Sequence, residues 1–272
     1  SEQIMAWYEK GMLLIKEMGE RQVTPSEAVF NTLLDICAKA AVRNDGRDWM
    51  SNAFDISNAM HQSDTPPNKA TYNTLLDTCA HMAGRGCSSG RAGMATAVRI
   101  LDTMRKEGID PDAVSYTCFI NVARKEGSRE AVDAAFGVFK GLPKSKGMRN
   151  KHTYTSMIRA LSSVGRWREA VGLLDGARDA GIRPDRIMYS VCMEAVGHDR
   201  DLVRELHRRM LQDGITDDST TRKQLERVDK YETSTLRRRD SSIPPLTPQA
   251  KPPPGASDKG GGLGRGVVAR LV

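Results

Sequence analysis

Ala70-Thr71-Tyr72-Asn73-Thr74-Leu75-Leu76 is the stretch that decides the fold, because related heptapeptides recur along the chain. Each has an aromatic residue third, a small polar residue fourth and apolar residues at its end. The related segments span residues 28–34, 114–120, 152–158 and 187–193. An ending such as Pro67-Asn68 or Pro111-Asp112 stands shortly before each segment. Self-similarity at this spacing predicts a repeat architecture rather than one globular core.

The endings divide the sequence into five units that are in register at their last residues. The units span residues 27–68, 69–112, 113–150, 151–185 and 186–218, with lengths of 42, 44, 38, 35 and 33. Apolar residues lie eight positions before each end, at Met60, Met104, Leu142, Ala177 and Met210, and fifteen before it, at Ala53, Ala97, Ala135, Ala170 and Val203. The extra residues of the longer units are therefore predicted to lie between the two halves of the repeat.

Each half of a unit is predicted to be a helix. Apolar residues from Ala170 to Ala177 follow the i, i+3, i+4, i+7 spacing of one helical face, and Gly181 followed by Pro184 ends that helix. One such hairpin cannot bury its apolar face alone, so neighbouring units must stack. We predict an all-α solenoid of stacked helical hairpins, about five and a half repeats long.

The ends of the chain complete this organisation. Residues 1–26 resemble the second helix of an earlier repeat whose first half is missing. Residues 219–239 are predicted to form a capping helix, and residues 240–272 a disordered, basic tail rich in Pro and Gly. The sequence is thus divided into four segments: a partial repeat, the array of units, a cap and a tail.

The pattern resembles the pentatricopeptide repeat family, with repeats of its P type. The family's repeat has 35 residues, a Tyr-Asn-Thr-Leu-Ile type first helix and a Gly-Ile-x-Pro-Asp ending. The fourth unit matches in length and ends Gly181-Ile182-Arg183-Pro184-Asp185, and the second ends in the same way at Asp112. The resemblance covers about residues 5–218 and implies a right-handed α-solenoid. The alternative, a protein-binding tetratricopeptide array, lacks the pairing of this first helix with a Pro-Asp ending.

Charge, cysteines and hydropathy limit the function classes. The net charge is +7, but residues 222–272 hold 11 basic and 5 acidic residues, so they carry +6 and the preceding 221 residues only +1. Nonspecific attraction to phosphates is thus expected mainly from the C-terminal segment. No segment is apolar enough to span a membrane, so no membrane partner is expected. Cys37, Cys79, Cys87, Cys118 and Cys192 show no CxxC spacing, which predicts free thiols rather than disulfides or zinc.

The resemblance implies that the protein binds single-stranded RNA. In the family, each repeat faces one base, which is read by the residue after the aromatic and by the last residue of the repeat. These pairs are Asn31 with Asn68, Asn73 with Asp112, Thr117 with Asn150, Thr155 with Asp185, and Ser190 with Asp218. All ten are polar, as hydrogen bonding to a base edge requires. Helix capping is the alternative for the last residues, whereas we expect neither capping nor helix packing to explain the residues after the aromatic.

The family's preferences also imply a target and further contacts. From the RNA 5′ end the five units favour a pyrimidine, U, A, G and, weakly, G. The second residue of each unit flanks the base in the family, and here these are Ala28, Ala70, Val114, His152 and Ile187. A Lys late in the first helix lies near phosphates in the family, and the matching positions hold Lys39, His81, Lys125, Ser163 and His198. Lys39 and Lys125 are the predicted phosphate contacts, with ordinary solvated helix ends as the alternative.

Catalysis, metals and cofactors are not expected. No histidine stands in the His-x-Glu pattern of a zinc deaminase, and no Gly-rich phosphate loop follows a strand. Two hypotheses remain. The first is an RNA-binding protein of a chloroplast or mitochondrion that acts in transcript stability, processing or translation. The second is a scaffold, such as an organellar ribosome component, with ribosomal RNA and ribosomal or RNA-processing proteins as partners. The organelle is implied by the resemblance alone.

Overall fold

A computed structural model describes residues 2–43, 45–84, 93–143, 147–197 and 199–227. The helices in these ranges are α1 (Glu2–Glu20), α2 (Glu27–Arg43), α3 (Trp49–Gln62), α4 (Lys69–Met82), α5 (Met94–Lys106), α6 (Ala113–Glu126), α7 (Arg129–Gly141), α8 (Lys151–Ser163), α9 (Trp167–Asp179), α10 (Arg186–Ala195), α11 (Arg200–Gln212) and α12 (219–227). No strand occurs among the residues so described. The predicted all-α repeat solenoid is confirmed.

The helices form two layers. The first helices of the five units, α2, α4, α6, α8 and α10, form one layer, in which each packs against the first helix of the neighbouring unit. The second helices, α3, α5, α7 and α9, each pack between the first helix of their own unit and that of the following one. Every unit therefore buries its apolar face against its neighbours, which is the arrangement that stacking of hairpins requires.

The two apolar columns form the centre of this packing. Every residue of the column fifteen positions before the unit end is at most 1% exposed, and Met60, Met104, Ala177 and Met210 are fully buried. The aromatic residue of each first helix is also buried. Tyr72 donates a 2.6 Å hydrogen bond to Glu107, and Tyr189 one of the same length to Asp213. Because these carboxylates follow α5 and α11, the tyrosines join the two helices of their own hairpin.

Both ends of the insertion in the second unit lie against the C-terminus of α6. Gly84, with a φ of +74°, is so close to α6 that a Cβ there would lie 2.1 Å from the carbonyl oxygen of Lys125. At the other end, the N–H of Met94 donates a 2.6 Å hydrogen bond to the carboxylate of Glu126. The second unit is thus tied to the third at the points where the insertion leaves and rejoins the helices.

The ends of the chain are described in part. α1 packs on α2, and α12 spans the first nine residues of the segment predicted to be a capping helix. Residues 228–272, which include the predicted tail, lie outside the described residues, as do Cys87 and His198. No helix among those described is long and apolar enough to cross a membrane.

The four described cysteines are free thiols. Cys37, Cys79 and Cys192 are buried, and Cys118 is partly so. Burial raises the pKa of Cys79 to about 11 and the pKa values of the other three to about 12. Since the thiolate is the reactive form, these four cysteines are small packing residues rather than nucleophiles.

Candidate nucleic-acid interface

The last residue of every unit caps the helix that follows it. The side-chain oxygens of Asn68, Asp112, Asn150, Asp185 and Asp218 accept hydrogen bonds of 2.8 to 3.0 Å from the backbone N–H three residues later. Helix capping therefore accounts for one side-chain oxygen of each of these residues. The other polar atom of each side chain, an amide nitrogen or a second carboxylate oxygen, is left for a different partner.

Four of these caps use a hydroxyl that the sequence argument overlooked. Thr71, Ser115, Thr153 and Thr221 are fully buried, and each accepts a hydrogen bond from the backbone N–H of the capping residue. The signal was present as Asn or Asp followed three residues later by Ser or Thr. Asp185 has Met188 at this position, so its cap lacks the reciprocal bond. Three of these hydroxyls fix the start of α4, α6 and α8, and hence the residues predicted to read bases one turn on.

For the first two units, the buried hydroxyl at the start of the following unit also joins the two residues predicted to read one base. The hydroxyl of Thr71 lies 3.2 Å from the amide oxygen of Asn31 and 3.1 Å from that of Asn68. Ser115 bridges Asn73 and Asp112 in the same way. The expectation that helix packing does not explain this column is therefore wrong at Asn31 and Asn73, because each bonds the first helix of the next unit. The same bridge brings the predicted pair together.

The threonines of the next two units have a different arrangement. Thr117 and Thr155 donate to the carbonyl oxygens of Ala113 and Lys151, one turn earlier in their own helices, at 2.6 and 2.8 Å. Such a bond uses the hydroxyl proton and leaves the oxygen as an acceptor. In the fifth unit, Ser190 is half-buried. All five residues after the aromatic are thus partly accessible on the layer of first helices.

The first residue of a unit lies beside the last residue of the same unit. Lys151 pairs with Asp185 at 3.1 Å, and Arg186 lies 3.7 Å from Asp218. The charges match, because a cation faces each of these aspartates. This contact was not predicted from the sequence, although each of these two units visibly begins with Lys or Arg and ends with Asp.

Asp112 has its own charge partner and a lowered pKa. Partial burial raises the pKa of this carboxyl, but hydrogen bonds from Ser115 and from the side chain of Asn73, together with the charge of Lys69, bring it below its usual value. Asp112 is therefore an anion at neutral pH. It presents only acceptors to a base, whereas the amide of Asn73 can donate as well as accept.

The first unit is the exception, since an acidic residue stands at its start. Asn68 and Asn31 both donate to the Oε1 atom of Glu27, the latter at 3.2 Å. The predicted pair of amides therefore surrounds a carboxylate. The first unit therefore presents three polar side chains here rather than two.

The five residues predicted to flank the base are exposed on the layer of first helices. These are Ala28, Ala70, Val114, His152 and Ile187.

The positions predicted to lie near phosphates differ in their contacts. Lys39 lies 3.9 Å from Asp35 in the same helix, and His81 lies 3.5 Å from Asp77. Ser163 donates to its own helix, and Lys125 is exposed. Lys39 is thus partly neutralised by its neighbour, which weakens its attraction for a phosphate. Within the described ranges no three His, Cys, Asp or Glu side chains are grouped to hold a metal ion.

Comparison with known proteins agrees with this architecture. The family model described as PPR repeat matches residues 152–182, which lie in the fourth unit. The pentatricopeptide repeat domain of protein-only RNase P 1 from Arabidopsis thaliana, solved in complex with tRNA, is similar in structure, with a TM-score of 0.54 and 14% identity over 75% of this chain and 98% of that domain. Nuclear proteinaceous RNase P 2 from A. thaliana is similar with a TM-score of 0.55 and 17% identity, over 74% of this chain and 41% of that protein. No curated protein sequence matches the chain. The predicted resemblance to pentatricopeptide repeat proteins is confirmed.

Proposed function

We propose that this pentatricopeptide repeat solenoid binds single-stranded RNA along its layer of first helices, one base to a unit. The observation that supports this most directly is the bridging of Asn73 and Asp112 by Ser115, which holds a donor and acceptors side by side. A polar pair of this kind can match the Watson-Crick edge of one base.

The exposed second residues supply the remaining contacts. Val114 and Ile187 are 55% and 49% exposed, although both are large and apolar. Exposed aliphatic side chains next to a polar pair can cover the faces of a base while its edge is bound. The related RNase P domain crystallised with tRNA is consistent with RNA as the ligand.

The biological role that we propose requires the protein only to bind RNA, not to catalyse a reaction on it. The protein protects an organellar transcript, or guides its processing or translation. A scaffold in an organellar ribosome is the second candidate, favoured by the +1 charge of the first 221 residues, because a dedicated RNA clamp would carry more positive charge.

A binding selection tests the proposal. RNAs randomised at five consecutive positions are incubated with the protein, and the bound fraction is sequenced. We expect enrichment of a pyrimidine, U, A, G and G in the 5′ to 3′ direction. A bound pool with no preference at these positions would contradict base reading. Crosslinking in cells then separates the two roles, since transcript binding gives many short sites and a ribosomal scaffold gives one location in ribosomal RNA.

A further inference from the structure

A cavity of about 700 Å³ opens on the layer of first helices in the last two units. Its walls come from the end of α6 and from α8, α10 and the start of α12. Ser190, a predicted base-reading residue, and Ile187, a predicted base-flanking residue, both line it. The cavity therefore lies next to the path that we propose for RNA.

Two arginines in the wall of this cavity have no ion-pair partner among the described residues. Neither Arg124 nor Arg159 forms an ion pair within the described part of the chain, and the Nε atom of Arg124 is buried without a hydrogen bond. The third arginine, Arg186, is already near Asp218. Burial lowers the pKa of Arg124, and the positive charge of Arg159 lowers it further. Two guanidinium groups thus line the same cavity.

A buried hydroxyl adds to the unsatisfied groups. The Oγ atom of Ser162 is buried and has no hydrogen-bond partner. Glu194 and Asp218 are the acidic residues of the lining, and Asp218 is already occupied as a helix cap and by Arg186. Glu194 is exposed and forms no ion pair with Arg124 or Arg159 among the described residues. Buried polar atoms without partners raise the free energy of the folded chain, as do like charges that no ion pair offsets. An anion with several acceptor oxygens would relieve both.

We propose that this cavity binds a phosphate group, with Arg124 and Arg159 as its ligands and Ser162 as a third donor. Arginine's planar fork of N–H donors suits phosphate oxygens, and such charge-assisted bonds are among the stronger ones in proteins. The phosphate comes either from the RNA backbone, in which case the assignment rests on the proposed function, or from free phosphate. Arg124 directly precedes Lys125, so the structure moves the phosphate contact of the third unit by one residue from the position that the resemblance implied.

Salt dependence of RNA binding tests the site. R124Q and R159Q are compared with R99Q, which removes the same charge from the exposed surface of a second helix. The slope of log affinity against log salt should fall by about 0.7 for each lost phosphate contact in single-stranded RNA. We expect this fall in R124Q and R159Q, with the base preference at the second nucleotide unchanged, and no fall in R99Q. Arg159 is exposed, so R159Q keeps the test valid even if R124Q is unstable.

Inorganic phosphate separates the two sources. Melting temperatures of the wild type and the variants are measured in phosphate and in chloride at equal ionic strength. A phosphate-dependent rise that R159Q abolishes, together with an unchanged salt slope, would assign the site to free phosphate and overturn the RNA assignment. An unchanged slope with no phosphate effect would overturn the site. A wild-type chain that binds no RNA would overturn the proposed function, while the phosphate melting curves would still decide the site.

Discussion

The hydroxyl of Ser115 donates a 2.6 Å hydrogen bond to the amide oxygen of Asn73, in the first helix of the preceding unit. The same serine closes the cap formed by Asp112. One contact between units thus orients both residues that we propose to read the second base. Base reading and stacking of neighbouring units depend on the same atoms at this junction.

Replacing Asn73 with Thr should change the preferred base at the second nucleotide from U towards G. The variant pair of Thr with Asp then matches Thr155 and Asp185 of the fourth unit. Discrimination between the two bases should change by about 1 to 3 kcal/mol, the range for a good polar base contact. Anisotropy measurements with RNAs that differ at this nucleotide give the value. Melting curves must accompany them, because the variant loses the bond to Ser115. An unchanged preference in a folded variant would favour the scaffold role.

Asp185 allows capping to be separated from base reading. D185A removes the cap of α10 and should lower the free energy of unfolding by about 1 kcal/mol. D185N retains a capping oxygen, so its stability should change by about 0.5 kcal/mol or less. D185N also makes the fourth unit equal to the third, where Thr117 stands with Asn150, and should move the preference at the fourth nucleotide from G to A. Urea unfolding and binding selection measure the two effects. Equal loss of stability in both variants would show that Asp185 does not act through its cap.

Glu27 should make the first unit select C rather than U. A carboxylate only accepts hydrogen bonds, so it favours the amino group of cytosine over the carbonyl oxygen of uracil at the same place. The wild type should therefore bind C more tightly by about 1 to 3 kcal/mol, and E27Q should lose this difference. E17Q removes the same charge from an exposed position of α1 and serves as the control. A wild-type preference for U would exclude this role of Glu27.

Gly84 should tolerate a side chain less well than Gly108. Both have a positive φ, of +74° and +76°, but only at Gly84 would a Cβ meet backbone of another unit. G108A should cost about 1 to 2 kcal/mol for the left-handed conformation alone. G84A should cost about 1 to 3 kcal/mol more, because α6 must move. Denaturant midpoints of the two variants give the comparison. Equal midpoints would mean that the contact between Gly84 and Lys125 is not required for stacking.

His61 should stabilise the protein more at low pH than at high pH. Its ring is 2.8 Å from the carbonyl oxygen of Ser57 and 2.9 Å from the carboxylate of Glu107. These two bonds raise the pKa of His61 above 6.5 in the folded state. Stabilisation by the charged ring is thus complete below pH 6.5 and is lost as the pH rises through the raised pKa.

Melting temperatures of the wild type and H61Q test this relationship. The difference between them should be largest near pH 6 and smallest above pH 8. H152Q, which alters an exposed histidine on α8, controls for general effects of removing an imidazole. A difference between wild type and H61Q that grows with pH would contradict the contact with Glu107.

The sequence predicted the units and their register well, and the side-chain contacts between residues far apart in the chain poorly. The apolar column that contains Met60, Met104 and Met210 could be found by counting back from the unit ends, because its residues recur at the same position of each unit. The pairing of Lys151 with Asp185 joins residues 34 positions apart, and its direction depends on how two helices meet. Arg124 and Arg159 occupy different positions within their units, so periodicity could not bring them together. His198 and the tail lie outside the described residues and stay predictions.

The helix caps at the unit ends limit how such an array can be rewritten. Because the last residue must supply a capping oxygen, the side chains that serve well there are essentially Asn, Asp, Ser and Thr. If this residue reads the base as we propose, an evolving or engineered version of the protein can vary its target at that position only among these few side chains. Base preferences that these side chains cannot provide would have to come from neighbouring side chains, such as the first residue of the unit, which does not have to cap a helix.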